Sequence, residues 1–259
     1  MKKKAATALV SIHSLFFLFL SCIPANGKKE SSIPDLFPSA PGCELAHHTA
    51  YTLCYSEKDE QAKWVAYHLT KNMCELNAVK RKDKFIPDPL VETGSATSDD
   101  YKNSGYDRGH LCPAGDMNWS ERSMEESFYM SNISPQLHEF NAGIWERLEK
   151  KVRDWAEKKG EVFVVDGGVL RDGLPVIGNK NKISVPEYFY KIVFAGTEEH
   201  PSVIAFVIAN KAWVKKSFFD FTVPVDSIER MTGIDFFPQL SDSVENALEC
   251  KVNTSGWMN

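Results

Sequence analysis

Residues 106–149 contain three short motifs that combine His, Asn and charged residues: YDRGHLCP at 106–113, SNISPQ at 131–136 and FNAGIWERLE at 140–149. Apolar residues recur at helical spacing through the third motif and beyond it, which predicts a helix over residues 140–159 that ends at Gly160. At about 100° per residue, the side chains of Asn141 and Glu149 are separated by about 80° on this helix. Both side chains can therefore face one site.

The residue types in these motifs suit a metal ion combined with a general base. A hard cation such as Mg²⁺ takes oxygen ligands and keeps several waters, so one amide oxygen at a helix start can suffice as a protein ligand. The imidazole of His110, predicted on a neighbouring strand, has an ordinary pKa near neutrality and can accept a proton. An isolated Asp-Arg-Gly-His sequence is more often a surface ion pair beside a glycine turn, and it is the order of the three motifs that favours catalysis.

In this order and spacing, the motifs resemble the DNA/RNA non-specific endonucleases of the ββα-metal (His-Me finger) superfamily. The resemblance covers roughly residues 50–240. It implies an enzyme that hydrolyses phosphodiester bonds of DNA and RNA to 5′-phosphate ends, with Mg²⁺, or alternatively Mn²⁺, as cofactor. Two other interpretations stay open: a non-catalytic surface module that binds nucleic acid, and a phosphodiesterase that acts on small substrates.

The resemblance also implies roles for individual residues. His110 is the implied general base, Asn141 the direct metal ligand, and Glu149 the group that orients metal-bound waters. Arg81, in the segment KRKDKF at 80–85, is the implied clamp on the scissile phosphate, and Arg108 contacts phosphate or orients the loop. Three further residues are expected to brace the site by hydrogen bonds: Asp107, Asn132 and Gln136.

Each of these roles has a structural alternative. His110 can be a buried structural histidine, Asn141 a helix cap, Glu149 a solvated carboxylate, and Arg81 the partner of Asp83 or Asp88 in a salt bridge. Outside the motifs we expect Trp145 and Trp155 in the core, a buried or disulfide-bonded Cys112 without a nucleophilic role, and surface positions for His47, His48 and His138.

The N-terminus has the organisation of a secretory signal peptide over residues 1–27. Lys2 to Lys4 precede an apolar stretch that is densest at Leu15–Leu20, and turn-forming residues follow at Pro24 to Gly27. A membrane anchor is the alternative, but the dense apolar run is shorter than the roughly 20 residues that a span requires. Cys22 follows Leu20-Ser21 as in a loose lipobox, so export predicts either a free secreted or periplasmic protein or an outer-surface lipoprotein anchored through Cys22.

The rest of the chain predicts one α+β domain. We expect a flexible tether at residues 28–45 and a single nuclease domain at 46–255, with a central, mostly antiparallel sheet flanked by helices. Residues 92–105 lack periodicity and predict an exposed loop, and Val225 to Thr232 predicts a short helix with Asp226 as its N-cap. Six cysteines are present, and five remain without Cys22, so at least one of those five is unpaired.

The net charge limits how the protein can bind a polyanion such as DNA or RNA. The chain has 30 Lys and Arg against 35 Asp and Glu, a formal charge of −5, which excludes a generally basic protein that coats nucleic acid. DNA and RNA substrates must therefore dock on a local basic stripe, and no obligate protein partner is evident. The stripe comprises Lys80, Arg81, Lys82, Lys84, Lys102 and Arg108. Contacts to phosphate carry no sequence information, which suits a non-specific enzyme.

Overall fold

The computed structural model describes residues 33–197 and 199–258. A six-stranded sheet, antiparallel at every pairing, runs through this part of the chain in the order β1-β2-β3-β6-β9-β10. The strands of this sheet are β1 (Glu44–His47), β2 (Thr52–Ser56), β3 (Gln61–Thr70), β6 (Glu161–Gly168), β9 (Tyr188–Ala195) and β10 (Ser202–Ala209). Two smaller antiparallel pairs comprise β4 (Asp107–His110) with β5 (Ile133–Gln136) and β7 (Val176–Ile177) with β8 (Ile183–Ser184).

Helices cover both faces of the six-stranded sheet. The helices are α1 (Lys71–Leu76), α2 (Glu121–Ser127), α3 (Glu146–Lys159), α4 (Val225–Thr232) and α5 (Asp242–Glu249). One face packs in a core with the apolar side of α3, including Leu148, Val152 and Trp155. The opposite face packs in a second core with Val225 and Ile228 of α4. The central strands are buried on both sides for this reason, and the predicted α+β class with a mostly antiparallel sheet is confirmed.

The segment before β2 differs from the predicted tether. Ile33 and Leu36 are buried in the core on the α4 face, and Cys43 forms a disulfide with Cys54 of β2. Residues 33–45 are therefore part of the packed fold, because scattered apolar side chains among the prolines and serines bury themselves there. The predicted signal peptide, Cys22 and residues 28–32 of the tether lie outside the described residues.

Several local predictions need correction. The segment 92–105 includes a short 3₁₀ helix, Ser98–Tyr101, in which Asp100 and Tyr101 are buried. The helix predicted over 140–159 is divided into a π-helical turn, Phe140–Trp145, and α3, with a non-helical backbone at Gly143. Pro224, not Asp226, occupies the N-cap position of α4, because its extended backbone precedes the first helical residue.

The other three cysteines within the described ranges are unpaired thiols. Cys74, Cys112 and Cys250 are free, in agreement with the expectation of at least one unpaired cysteine. Cys112 is fully buried, and burial raises the pKa of its thiol well above the ordinary value. A thiol held neutral in this way is a poor nucleophile, as the sequence predicted for Cys112. Within residues 33–197 and 199–258, no helix combines the length and apolar character needed to cross a bilayer.

Candidate active site

Two strands and a helix bring the sequence motifs together. In the β4–β5 pair, Asp107 lies opposite Gln136 and His110 opposite Ile133. The chain then leaves β5 at Leu137, whose carbonyl accepts backbone hydrogen bonds from Phe140 and Asn141 and so begins the π-helical turn. The first motif therefore lies on β4, the second ends on β5, and the third begins the helical segment that continues into α3.

Gly109 allows this strand pair to close tightly. A Cβ atom on Gly109 would lie 2.2 Å from Cδ of Gln136, which excludes any larger residue unless Gln136 moves. Gln136 is fully buried, and neither its Oε1 nor its Nε2 has a hydrogen-bond partner in the described part of the chain. Gln136 thus supports β4 by packing against it and not by the expected hydrogen bonds.

Asn132 fastens the turn that follows His110. Its Oδ1 accepts from the Cys112 backbone N–H at 2.8 Å, and its Nδ2 donates to the carbonyls of Cys112 and Ser127 at 2.9 and 2.8 Å. Asn132 is fully buried, so these bonds are shielded from water and hold the chain beyond β4 in one conformation.

Asp107 links β4 to the helix start. Its Oδ2 accepts from Nδ2 of Asn141 at 3.0 Å and lies 2.9 Å from Nδ1 of the exposed His138. The bond to Asp107 uses the amide nitrogen of Asn141, which leaves the amide oxygen as the atom that a hard cation would bind. His138 is exposed as predicted.

His110 lies in an apolar enclosure. Its ring contacts Phe85 and Phe128, with centroid distances of 5.5 and 4.9 Å, and only 8% of the residue is exposed. Its Nε2 is buried and has no hydrogen-bond partner among the described residues. Removal from water, together with the positive charges of Arg81 and Arg108, lowers the pKa of His110 to about 3 against a smaller opposing effect of Asp83.

Arg81 and Arg108 lie against the same two phenylalanines. The Arg108 guanidinium is 4.2 Å from the centroid of Phe85, and that of Arg81 is 5.2 Å from the centroid of Phe128. The structure therefore gathers His110 and both predicted arginines around one apolar pair. Arg81 also forms the alternative salt bridge, with its Nε 2.7 Å from Asp83, but this pair is exposed, and exposed pairs are worth little.

Glu149 belongs to a buried charged network beneath the helix. Removal from water raises the pKa of this half-buried carboxyl to about 8, although Lys191 and Arg153 oppose the shift. Lys191 pairs with Asp166, both fully buried, and Arg153 binds Asp116 at 2.6 Å.

Sequence reasoning did not identify this network, although a signal exists. Asp166 ends the apolar run VFVV at 162–165, and Lys191 interrupts YFY and IVF in β9. A single charge inside a strand that is otherwise apolar must find a partner, because an unpaired buried charge is very costly. The two positions face each other in the β6–β9 register, so each charge supplies the partner for the other.

His48 corrects another prediction. Its side chain is 1% exposed, and its Nε2 lies 2.9 Å from Asp88, which also accepts from Ser131. Burial alone would raise the pKa of Asp88, but these hydrogen bonds lower it below the ordinary value. His48 therefore has a buried side chain paired with Asp88 and is not a surface histidine. Trp145 and Trp155 lie in the core as predicted.

Comparison with known proteins gives this arrangement its context. The family model for DNA/RNA non-specific endonucleases matches residues 33–243. The chain belongs to the DNA/RNA non-specific endonuclease family. Its membership makes it an enzyme of the nuclease class and confirms the resemblance drawn from the three motifs.

Relatives of this nuclease come from distant organisms. The chain is 34% identical to mitochondrial nuclease EXOG of Xenopus laevis, over 85% of this chain and 69% of that protein. It is 32% identical to human mitochondrial endonuclease G, over 76% of this chain and 70% of the relative, and 31% identical to a nuclease of the cyanobacterium Nostoc, over 78% and 76%. The matches to EXOG proteins of zebrafish and mouse span 62% and 63% of those relatives.

A solved structure shares the fold. A crystal structure of the EndoG/EndoGI complex, which concerns the mechanism of EndoG inhibition, superposes with a TM-score of 0.72 at 32% identity. The match covers 79% of this nuclease and 89% of that chain. This likeness confirms the predicted nuclease fold.

Proposed function

We propose that this nuclease hydrolyses phosphodiester bonds in DNA and RNA with little sequence preference, leaving 5′-phosphate ends, and that His110 acts as the general base. The observation that carries the proposal is the environment of His110. Its Nε2 is buried and unpartnered in the described part of the chain, and two arginines that would attract phosphate lie against the phenylalanines that contact its ring.

The lowered pKa of His110 keeps its imidazole unprotonated in the free protein, and the same shift makes it a weaker base until substrate binds. A pKa of about 3 keeps the imidazole neutral at physiological pH, so Nε2 is ready to take a proton. A bound phosphate would offset the charges of Arg81 and Arg108 and so raise the basicity of His110 when substrate is present. Water would then attack phosphorus while its proton passes to Nε2, and the bond from phosphorus to the 3′ oxygen would break.

Arg81 and Arg108 would bind the scissile phosphate. A guanidinium can donate two parallel hydrogen bonds to phosphate oxygens, which a lysine cannot do. The phenylalanine rings beside them support both guanidinium groups, which stay exposed to an incoming phosphate. Since phosphate is common to all sequences and to both sugars, such contacts favour activity on both DNA and RNA.

The residues around Asn141 fit a divalent cation. The Asp107 hydrogen bond orients the Asn141 amide, and Glu149 supplies a carboxylate two turns further along the helical segment. Mg²⁺, or alternatively Mn²⁺, bound at Asn141 would stabilise the negative charge that develops on the phosphate and the leaving oxygen. Glu149 would hold waters around such an ion, and its raised pKa would fall toward the ordinary value beside that positive charge.

Export is a further part of the proposal. It is supported by the sequence of residues 1–27, in which positively charged residues precede an apolar stretch. Several relatives, in contrast, carry the word mitochondrial in their names. The comparisons carry no support for a lipid anchor at Cys22. The disulfide between Cys43 and Cys54 agrees with folding in an oxidising compartment.

Incubation of the purified protein with plasmid DNA and with structured RNA tests the proposal. We expect both substrates to be degraded with Mg²⁺ or Mn²⁺, and cleavage to stop with EDTA. A ligase that requires a 5′ phosphate should be able to join the products, because they carry 5′-phosphate ends. Cleavage of short nucleotides without cleavage of either polymer would instead favour the small-substrate phosphodiesterase. Binding of DNA by folded protein without any cleavage would favour the non-catalytic module.

A further inference from the structure

Three carboxylates converge between α4 and α5, on the face of the sheet opposite α3. Asp226 and Glu229 lie one turn apart on α4, and Glu249 ends α5. One carboxylate oxygen from each lies within 4.8 Å of the other two. Among the described residues, this is the one group of three or more His, Cys, Asp or Glu side chains close enough to share a metal ion.

Glu249 distinguishes this group from an ordinary acidic surface. The residue is only 5% exposed, and its Oε1 is buried without a hydrogen-bond partner among the residues that the structure describes. An ionised carboxylate removed from water costs several kcal/mol unless a hydrogen-bond donor or a cation compensates it. One carboxylate oxygen of Glu249 lies within 4.8 Å of an oxygen from each α4 carboxylate, so the buried carboxyl group is directed into the cluster.

The neighbouring groups leave this charge largely uncompensated. Glu229 uses Oε1 to accept from the Phe236 backbone N–H at 2.9 Å, which orients its carboxylate. Arg230 is largely exposed and lies 3.9 Å from Asp226, at the limit of an ion pair. Asp235 and Glu245 add negative charge at Glu249. The Phe236 hydrogen bond thus orients one of the three carboxylates, and no positive side chain of the described residues is centred among them.

We propose that Asp226, Glu229 and Glu249 bind a Ca²⁺ ion that joins α4 to α5. Ca²⁺ takes six to eight oxygen ligands at about 2.3–2.6 Å, so oxygens up to about 5 Å apart can share it. Three carboxylates offer up to six such oxygens, and Ca²⁺ tolerates the irregular geometry that they provide. The ion would stabilise the layer formed by Val225, Ile228 and Leu248 on the sheet, far in the fold from His110.

The role of such an ion is structural. The proposal does not depend on the nuclease mechanism, because none of its three ligands belongs to the β4–β5 pair or to α3. Ca²⁺ that binds only the folded state raises stability by mass action, and the melting temperature rises with it.

Thermal unfolding of the EDTA-treated, dialysed full chain with and without CaCl₂ tests the proposal. At a hundredfold excess over the dissociation constant, we expect the melting temperature to rise by about 5 °C or more. Glu249→Gln should abolish the rise, and Asp226→Asn, a change at a more exposed position, should reduce it in a protein that folds without difficulty. Titration calorimetry with CaCl₂ should show the loss of one binding site in Glu249→Gln and a weaker site in Asp226→Asn.

Two control variants separate this site from other cation sites. Glu157→Gln removes an exposed acid from α3, and Asn141→Ala removes the proposed active-site ligand; the calcium-dependent rise should persist in both. The proposal is overturned if the wild type shows no rise, if both Glu249→Gln and Asp226→Asn keep the full rise, or if Asn141→Ala alone eliminates it.

Discussion

At the scale of single residues, the environment of His110 determines when it can accept a proton. Its folded-state pKa is lowered to about 3, so the basic form predominates well below the ordinary value near 6.5. In the pH profile of kcat/KM, which reports free-enzyme pKa values, we therefore expect the acid limb below pH 6.5. Rates on a short DNA duplex between pH 4 and 8 give this limb, and a midpoint at 6.5 or above would contradict the burial argument.

The same shift makes a prediction for stability. The imidazole of His110 binds a proton near pH 6.5 in the unfolded chain but only near pH 3 in the folded protein. Its contribution to the free energy of unfolding is therefore fully present above pH 6.5 and is lost as the pH falls toward 3. In urea denaturation, the free energy of unfolding should therefore fall less for His110→Ala than for the wild type as the pH is lowered from 6.5 to 4.5. The exposed His200→Ala is the control, and its pH dependence should follow that of the wild type.

Gly109 tests the packing of the strand pair. Gly109→Ala forces a Cβ into Gln136, and we expect it to cost about 1–3 kcal/mol of unfolding free energy, the usual cost of overpacking. Gln136→Ala should remove the obstacle, so the double variant should be more stable than the sum of the single changes predicts. Urea denaturation of the four proteins measures the coupling. Simple additivity would mean that the two residues do not compete for the same space.

At the scale of secondary-structure elements, the helical segment from Phe140 carries both groups of the proposed metal site. Glu149→Gln keeps the shape of the side chain but removes its charge. We expect the Mg²⁺ concentration for half-maximal cleavage to rise about 10- to 100-fold, the usual effect of losing a group that orients metal-bound water. Glu157→Gln, on the solvent side of the same helix, should leave the Mg²⁺ requirement unchanged, and an equal requirement in both variants would exclude Glu149 from the site.

The disulfide between Cys43 and Cys54 fixes the N-terminal segment to β2. Its two cysteines are 11 residues apart, and closing a loop of this length contributes about 3 kcal/mol in the chain-entropy account. Cys43→Ser with Cys54→Ser should lower the unfolding free energy by about that amount, whereas Cys250→Ser, at an exposed free thiol, should leave it unchanged. A reducing agent should destabilise the wild type and Cys250→Ser, which keep the disulfide, but not the double variant. Equal stability in the presence and absence of the disulfide would show that burial of Ile33 and Leu36 and the β1–β2 pairing hold this segment without it.

The elements that sequence could predict are those with a regular pattern. The periodicity of Leu148, Val152 and Trp155 predicts α3, and the β-branched and aromatic runs predict β6, β9 and β10. The break at Gly143 was not predictable, because the apolar spacing continues across it and the π-helical turn has no sequence signal of its own. Residues 33–45 were missed because their burial depends on a distant sheet face and a disulfide partner.

At the scale of the whole molecule, the local charge differs from place to place and cannot be inferred from the net charge. The net charge is −5, yet the charges of two arginines act on His110, and three acids converge between α4 and α5. The motif at 106–113 already places Arg108 two residues from His110, whereas Arg81 comes from the separate segment at 80–85, which only the family resemblance linked to the site. The Glu249 group joins residues far apart in sequence, and only the fold reveals it. Lys191 and Asp166 each leave a signal as a single charge in an apolar strand, but their pairing appears only in the fold.

The central claim is that this nuclease cleaves nucleic acid by proton transfer to His110. The most direct measurement is the single-turnover rate of cleavage of a DNA duplex with excess Mg²⁺, for wild type and His110→Ala, alongside the dissociation constant of the same duplex. We predict that His110→Ala lowers the rate at least about a hundredfold, the low end for a positioned general base, while DNA affinity changes little. A folded His110→Ala variant that cleaves at the wild-type rate would contradict the claim.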